Sequence, residues 1–266
     1  MSALSHKVLT DITDRVATIT LNVPERRNAL DPELAKELAG IIRSMDADPG
    51  TGALVITGSG KGFCAGANLD NLTTSETTPD DKEETLTASL REERRAAYTA
   101  LYEPFLALRS ARKPTVAAVN GAAVGAGLNL LLAADIAIAS EEAKILSGFL
   151  RIGLHPGGGN TSMLTERVGP QAAAALTLFG ETVDGKEAKR IGLVHDCVSA
   201  ENLAEKAHSM AAKAASFPLA STIRVKETLG LSRRADFHTV LEAETTAQIW
   251  TTTLPETAER LRAARK

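Results

Sequence analysis

The sequence contains little cysteine, little excess charge of either sign and no long uninterrupted apolar run. Its two cysteines, Cys64 and Cys197, lie too far apart for the paired spacing of a zinc site. The five histidines form no H-x-x-x-H pattern, which excludes the common zinc-protease motif. A net charge of -3 gives no general attraction to nucleic acid or to an anionic membrane. We therefore expect a reduced, cytoplasmic protein without a metal site.

Signals for secretion or membrane insertion are also missing. Residues 1–10 contain serine, histidine and lysine, without the apolar segment of a secretion signal. The longest apolar stretch, residues 116–139, is interrupted by two asparagines and an aspartate, so it predicts buried strands and a helix rather than a membrane span. The loop at residues 58–62 lacks the Ser or Thr that follows the lysine of a P-loop, and the G-x-S-x-G elbow of a serine hydrolase does not occur.

The order of predicted elements in the first part of the chain indicates an α/β fold class. Residues 16–21 alternate Val, Thr and Ile as a half-buried strand does, and residues 52–57 predict a short buried strand. Between them, Asp31 followed by Pro32 is typical of a helix start and predicts a helix that runs to about Met45. Strand, helix and strand in this order favour a sheet covered by helices.

The remaining chain continues this order and then becomes mainly helical. We expect a polar loop at 71–81, a charged helix at 82–109, a strand at 115–119, a buried helix at 125–133 and a strand at 135–139. The interpretation is an α/β core at residues 1–198 and a C-terminal helical region at residues 199–266.

Four short motifs occur in order along the chain. They are P-E-R-R-N-A-L at residues 24–30, G-F-C-A-G-A-N-L at 62–69, N-G-A-A-V-G-A-G-L-N at 120–129 and G-L-H-P-G-G-G at 153–159. Each motif alone has low specificity. The ordered set resembles the enoyl-CoA hydratase/isomerase (crotonase) superfamily, and the resemblance extends over about residues 8–265.

The resemblance implies a fold, an assembly and a ligand. The fold of the family is the ClpP/crotonase-like spiral of ββα units, followed by a C-terminal helical trimerisation region. We therefore expect a homotrimer, or a hexamer that is a dimer of trimers. The implied ligand is an acyl-CoA thioester; because coenzyme A is then part of the substrate, no separate cofactor is expected.

Two of the motifs place small residues where a substrate carbonyl group can approach the backbone. Residues 65–67 and 125–127 each precede a predicted short helix, so their N–H groups are not used inside that helix. By the motif of the family, the N–H groups of Ala67 and Ala126 form an oxyanion hole for a thioester enolate. The alternative is that both segments are ordinary tight turns in a packed core.

The resemblance also implies where the substrate binds. Residues 67–70 match the acyl-CoA binding stretch of the family, although Asn68 replaces the usual Asp. Arg26 and Arg27 stand where the nucleotide end passes, and arginine suits phosphate, but for Arg26 a solvated surface turn is an equal alternative. The implied substrate-binding residues are Arg26, Arg27, Ala29, Ala65, Ala67, Asn68, Leu69, Asp70, Gly125, Ala126 and Pro156.

The sequence departs from the hydratases of the family at both catalytic carboxylates. The positions of the two glutamates hold Asn129 and Phe149. Asparagine can orient a water molecule but is no base, and phenylalanine can do neither. A further acidic position of some relatives, after the proline of the fourth motif, holds Gly157. Ordinary hydration is therefore predicted to be severely impaired.

Other side chains near these motifs are candidates for proton transfer. His155 is the candidate base, with a turn histidine bonded to the backbone as an equal alternative. Tyr98 and Tyr102 share one face of the long helix, where simple helix packing is the favoured interpretation. Cys64 is expected to be a small buried residue rather than a nucleophile.

Three functions stay open from the sequence. The first is an acyl-CoA lyase or isomerase that combines the oxyanion hole with an unusual base. The second is a hydratase with residual activity. The third is a non-catalytic protein that binds or carries an acyl-CoA.

Overall fold

A computed structural model of the chain describes residues 6–68 and 88–264. The strands in these residues are β1 Val8–Thr13, β2 Val16–Leu21, β3 Ala53–Gly58, β4 Gly62–Cys64, β5 Thr115–Val119, β6 Ala122–Val124, β7 Ile136–Ser140, β8 Ile145–Leu146 and β9 Asp196–Val198. The helices are α1 Pro32–Ala47, α2 Ala88–Ser110, α3 Ala126–Ala133, α4 Asn160–Thr177, α5 Gly185–Arg190, α6 Leu203–Ala215, α7 Leu219–Ser232, α8 Phe237–Thr252 and α9 Pro255–Ala264. The loop predicted at 71–81 lies outside the described residues.

The strands form two sheets. Six strands pair in the order β1-β2-β3-β5-β7-β9, in which β1 is antiparallel to β2 and the other neighbours are parallel. Strands β4, β6 and β8 form a second, parallel sheet. A strand of each sheet followed by a helix recurs three times, as β3-β4-α2, β5-β6-α3 and β7-β8-α4. The predicted α/β class and the succession of ββα units are confirmed.

Helix α1 begins where the local sequence predicts it. The carboxylate of Asp31 accepts a hydrogen bond from the N–H of Leu34 at 2.8 Å, and Pro32 is the first helical residue. Such a cap satisfies one of the N–H groups that the first turn leaves unpaired. Leu34, Leu38 and Ile42 recur at the spacing of one helix face and are fully buried in the core.

The larger sheet is covered on both faces. On one face lie α1, α2 and α3, which enclose the main apolar core together with the smaller sheet. On the other face, Ala207 and Ala211 of α6 pack against Val55 and Ile138 of the sheet. Helix α6 thus completes the core, although it lies in the predicted C-terminal helical region. The division of the chain into a core and this region at residue 198 stays a prediction.

The last three helices leave many apolar side chains uncovered. Helices α7, α8 and α9 contain no fully buried residue. Leu229, Phe237 and Ile249 are among their exposed side chains. The assembly of subunits through this region stays a prediction. Within residues 6–68 and 88–264, no helix has both the length and the apolarity that a membrane crossing requires.

Candidate active site

Two turns rich in small residues meet beside the smaller sheet. Gly66 has a φ of 107°, and a Cβ atom at this position would lie 3.0 Å from the carbonyl oxygen of Val124 and 3.9 Å from the nitrogen of Ala126. A side chain here would crowd the second turn, in a backbone conformation that L-residues rarely adopt. Glycine at residue 66 therefore permits the two turns to approach each other.

Two hydrogen bonds of the neighbouring residues hold the backbone around Ala67 in place. Leu30 donates its N–H to the carbonyl of Gly66 at 2.7 Å, and its carbonyl accepts from the N–H of Asn68 at 2.7 Å. Ala126 is the first residue of α3, and the N–H groups of the first helical turn have no acceptor inside the helix. Neither alanine N–H has a backbone acceptor among the described residues.

A cavity of about 530 Å³ opens at these two turns. The predicted site residues that line it are Ala65, Ala67, Gly125, Ala126, Asn129, Phe149, His155 and Pro156. In the part of the chain that the structure describes, no carboxylate lines the cavity, and its titratable side chains are Tyr98, Tyr102 and His155. The same described residues contain no group of three His, Cys, Asp or Glu side chains that could hold a metal ion.

Asn129 is a structural link at the base of the cavity. It is 1% exposed, its amide group donates to the carbonyl of Gly157 at 2.9 Å, and its carbonyl accepts from the amide of Asn160 at 2.8 Å. Both ends of the carboxamide are therefore engaged. They join α3 to the glycine-rich turn and to the start of α4.

Replacing Asn129 by alanine should destabilise the protein. The carbonyl of Gly157 and the amide of Asn160 would each lose a buried partner, which costs about 1–3 kcal/mol for a group left unsatisfied. Urea unfolding of Asn129→Ala measures this loss, with Asn202→Ala as the control because Asn202 is exposed. An unchanged urea midpoint for Asn129→Ala would show that these two hydrogen bonds are not important for stability.

Phe149 makes the cavity apolar beside the second turn. It is half-buried at the start of a short 3-10 turn, Leu150–Ile152. The outer edge of its ring lies 3.7 Å from the position that a Cβ atom on Gly125 would occupy. Phe149, the residue predicted to replace a glutamate of the hydratases, therefore presents a benzyl group next to Gly125.

His155 lies at the rim of the cavity and also bonds to the backbone. Its Nδ1 is 2.7 Å from the carbonyl oxygen of Pro156, and the side chain is exposed. A carbonyl oxygen only accepts, so Nδ1 carries the proton of the neutral ring and Nε2 is the free acceptor. The backbone bond expected of a turn histidine is thus present, and the role of His155 as a base stays a prediction.

Tyr102 reaches the turn at residues 157–159 from α2. Its hydroxyl oxygen occupies the space that a Cβ atom on Gly157 would need, so a larger residue at 157 would displace the Tyr102 side chain. Burial raises the pKa of Tyr102, as does the neighbouring Tyr98, while a hydrogen bond from the backbone of Gly158 opposes the shift. Tyr102 therefore stays protonated at neutral pH.

Cys64 lies next to the first turn and does not take part in the cavity wall. Its side chain is fully buried. Burial raises the pKa of the thiol to about 12. A thiol with this pKa is not a nucleophile at neutral pH, because the thiolate is the reactive form. The sequence-based interpretation of Cys64 as a small buried residue agrees with this placement.

The two arginines predicted to contact coenzyme A do not line the cavity. Arg26 and Arg27 are exposed and lie at the 3-10 turn after β2. Arg26 pairs with Asp31 at 2.9 Å, and the carbonyl of Arg27 accepts from the N–H of Ala65 at 3.0 Å. This turn therefore runs beside the first small-residue turn, outside the cavity wall.

The roles of four other residues of the predicted binding set, Ala29, Asn68, Leu69 and Asp70, stay predictions. Ala29 is half-buried behind the same turn. Leu69 and Asp70 lie outside the described residues, so their roles stay predictions.

Two asparagines absent from the predicted site hold the loop at residues 58–62. Asn28 is fully buried and donates to the carbonyl of Gly62 at 2.8 Å. Asn120 donates to the carbonyl of Gly60 at 3.0 Å. Both occur inside the sequence motifs, but a motif does not say which of its residues tether the backbone and which contact a ligand.

Comparison with known proteins identifies the family. The family model described as Enoyl-CoA hydratase/isomerase matches residues 11–260. The "Probable enoyl-CoA hydratase EchA14" of Mycobacterium tuberculosis is 45% identical over 186 residues, which cover 70% of this chain and 67% of the relative. The 1,2-epoxyphenylacetyl-CoA isomerase of Escherichia coli is 32% identical over 238 residues, which cover 89% of this chain and 87% of the relative.

Solved structures agree with this assignment. The enoyl-CoA hydratase of Bacillus anthracis has a TM-score of 0.88 and 30% identity, covering 98% of this chain and 96% of that one. The enoyl-CoA hydratase of Mycobacterium smegmatis has a TM-score of 0.87 and 25% identity, covering 97% of this chain and 96% of that one. The predicted crotonase fold is thus confirmed, and the chain belongs to the enoyl-CoA hydratase/isomerase family.

Proposed function

We propose that the protein is an acyl-CoA lyase or isomerase that stabilises a thioester enolate between two backbone N–H groups. One observation carries the proposal: Ala67 and Ala126 belong to turns in mutual contact at one cavity, and neither N–H has a backbone acceptor among the described residues. Two donors directed at one oxygen stabilise the charge that develops there when a proton leaves the neighbouring carbon. Tight turns that served only the core would not need to open into a cavity.

The base in this proposal is His155. Its Nε2 takes a proton from the α-carbon of the acyl group, and the electron pair of that C–H bond forms the C=C bond of the enolate. The thioester oxygen becomes the oxyanion. In an isomerase the proton then returns to another carbon of the chain, and in a lyase a group leaves from the β-carbon. The bond from Nδ1 to Pro156 supports the imidazolium that forms in between.

Substrate binding in this proposal extends from the cavity to the outer turn. The acyl part contacts Ala65, Ala67, Gly125, Ala126 and Pro156. The coenzyme A part contacts Arg26, Arg27, Ala29, Asn68, Leu69 and Asp70. We also propose assembly into a homotrimer or a dimer of trimers, which would cover the exposed apolar side chains of α7 to α9.

A second candidate is a non-catalytic protein that binds or carries an acyl-CoA. The observation that favours it is the lack of any carboxylate in the described wall of the cavity. Such a protein would keep the two N–H groups as a carbonyl-binding site without moving a proton. The two candidates differ in whether the bound thioester exchanges its α-protons.

Replacing Ala126 by proline should slow α-proton exchange about 10²–10³-fold, the usual cost of one oxyanion-hole donor. Proline is well tolerated at the first position of a helix, so the fold should be kept. Its Cδ atom replaces the amide hydrogen, which removes the donor and also narrows the site of the thioester oxygen. Exchange is measured by mass spectrometry of butyryl-CoA incubated with the protein in D₂O.

Ala126→Gly is the matched comparison, because it keeps the N–H and should slow exchange far less. Exchange by Ala126→Pro at the wild-type rate would show that the oxyanion-hole assignment is wrong. Wild-type protein that binds butyryl-CoA without exchanging any α-proton would favour the carrier.

A further inference from the structure

Aromatic side chains are scarce in this protein, yet they are concentrated at the cavity. The whole chain contains six Phe, two Tyr and one Trp. Four of these nine line the cavity, namely Tyr98, Tyr102, Phe105 and Phe149. Both tyrosines are among them. A wall of this composition presents flat aromatic surfaces to the acyl group. Branched apolar side chains would be enough to bury an aliphatic acyl chain.

Three of these rings form a row along α2. The centroids of Tyr98 and Tyr102 are 6.3 Å apart with 26° between the ring planes. The centroids of Tyr102 and Phe105 are also 6.3 Å apart, with 35° between the planes. Spacings of four and three residues put all three on one helix face. The row is therefore a nearly continuous aromatic surface.

The row is held in a fixed position. Phe105, at one end, is 2% exposed and anchored in the core. The hydroxyl of Tyr102 fills the space beside Gly157 that a side chain would otherwise take. A surface that is already ordered loses little entropy when a ligand docks on it.

Phe149 stands apart from this row, next to the proposed oxyanion hole. Its ring lies beside Gly125, and in the described residues it makes no ring contact with Tyr98, Tyr102 or Phe105. An acyl group whose carbonyl oxygen is held by Ala126 therefore begins next to Phe149.

Packing of α2 on the core explains only part of this arrangement. Phe105 is buried, so packing in the core is enough to explain an aromatic side chain at this position. Tyr98, Tyr102 and Phe149 are each half-buried and line the cavity with what remains exposed. Large aromatic side chains whose free surface lies on a shared cavity point to a ligand that stacks on them.

We propose that the acyl group of the substrate is aromatic, so that the ligand is an arylacyl-CoA whose ring packs among Phe149 and the row on α2. This inference rests on the proposed function, because it assigns the acyl group of the same thioester. Aromatic pairs gain energy beyond that of the buried area when they meet in offset-stacked or edge-to-face geometry. An aliphatic chain of equal carbon number gains only the free energy of burying its apolar surface.

The test compares phenylacetyl-CoA with octanoyl-CoA, whose acyl groups have the same number of carbon atoms. We expect the full-length protein to bind phenylacetyl-CoA about tenfold more tightly in a calorimeter, the factor that one or two aromatic contacts supply. Phe149→Leu and Tyr98→Leu keep apolar side chains and should each reduce the preference. Phe179→Leu is the matched control, since Phe179 is 80% exposed outside the cavity and its loss should leave the preference intact.

The outcomes separate this inference from the proposed function. Equal binding of the two ligands, or tighter binding of octanoyl-CoA, overturns the aromatic assignment and leaves the thioester site standing. A preference that survives in both cavity variants also overturns the assignment. Failure to bind either thioester overturns the proposed function and the inference together.

Discussion

Crotonyl-CoA should be hydrated at least about 10⁴-fold more slowly by this protein than by a hydratase with both glutamates, since each of the two acid–base groups supplies about 10²–10⁴-fold. Asn129 is no base, and its carboxamide is already bonded to Gly157 and Asn160. Phe149 offers no polar atom, and no carboxylate lines the described wall of the cavity. The loss of enoyl-thioester absorbance measures the rate.

Calorimetric binding of crotonyl-CoA is the control for this measurement. Binding without hydration would indicate a working thioester site with different chemistry. Phe149→Glu restores one carboxylate at a half-buried position and should hydrate faster than the wild type. Rapid hydration by the wild type would mean that another group activates water and that the interpretation of Asn129 and Phe149 is wrong.

Replacing His155 by glutamine should slow α-proton exchange of butyryl-CoA about 10²–10⁴-fold, the contribution of a general base. Glutamine can still donate a hydrogen bond to the carbonyl of Pro156, but it cannot take up a proton. Binding of the thioester should change little, because the imidazole lies at the rim and not at the two N–H groups. Exchange in D₂O followed by mass spectrometry gives the rate, and calorimetry gives the affinity.

The control for this variant is His195→Gln. His195 is exposed and lies outside the cavity wall, so its replacement should leave exchange unchanged. Full exchange by His155→Gln would exclude His155 as the base. The tyrosines would then be the remaining titratable side chains of the described wall, and Tyr102, which stays protonated, would be a proton donor rather than a base.

Local signals predicted the regular elements well where they were strong. The strand at 16–21 and the start of α1 at Pro32 agree with the structure residue by residue, because alternation and an Asp-Pro helix start are both short-range patterns. The strand predicted at 52–57 lies one residue further on, at Ala53–Gly58. The smaller sheet had no such signal, since its strands have only two or three residues, and β4 and β6 lie within glycine-rich motifs.

The motifs predicted which residues gather at the site better than what each of them does. Asn129 was considered as a residue that could orient water. Its partners Gly157 and Asn160 are 28 and 31 positions away, so its structural role appears only when α3 and α4 are packed together. The same is true of Tyr102, which contacts Gly157 across the cavity from a separate helix.

The sequence by itself determined the fold family and the order of the four motifs, and it predicted the replacement of both hydratase glutamates, because each of these depends on which residue stands at which position. Only the tertiary structure decided which side chains face the cavity and which are already bonded to each other. Those properties depend on contacts between distant parts of the chain. Only there did the described part of the wall, which has no carboxylate, appear as one site with a backbone-bonded histidine and four aromatic rings.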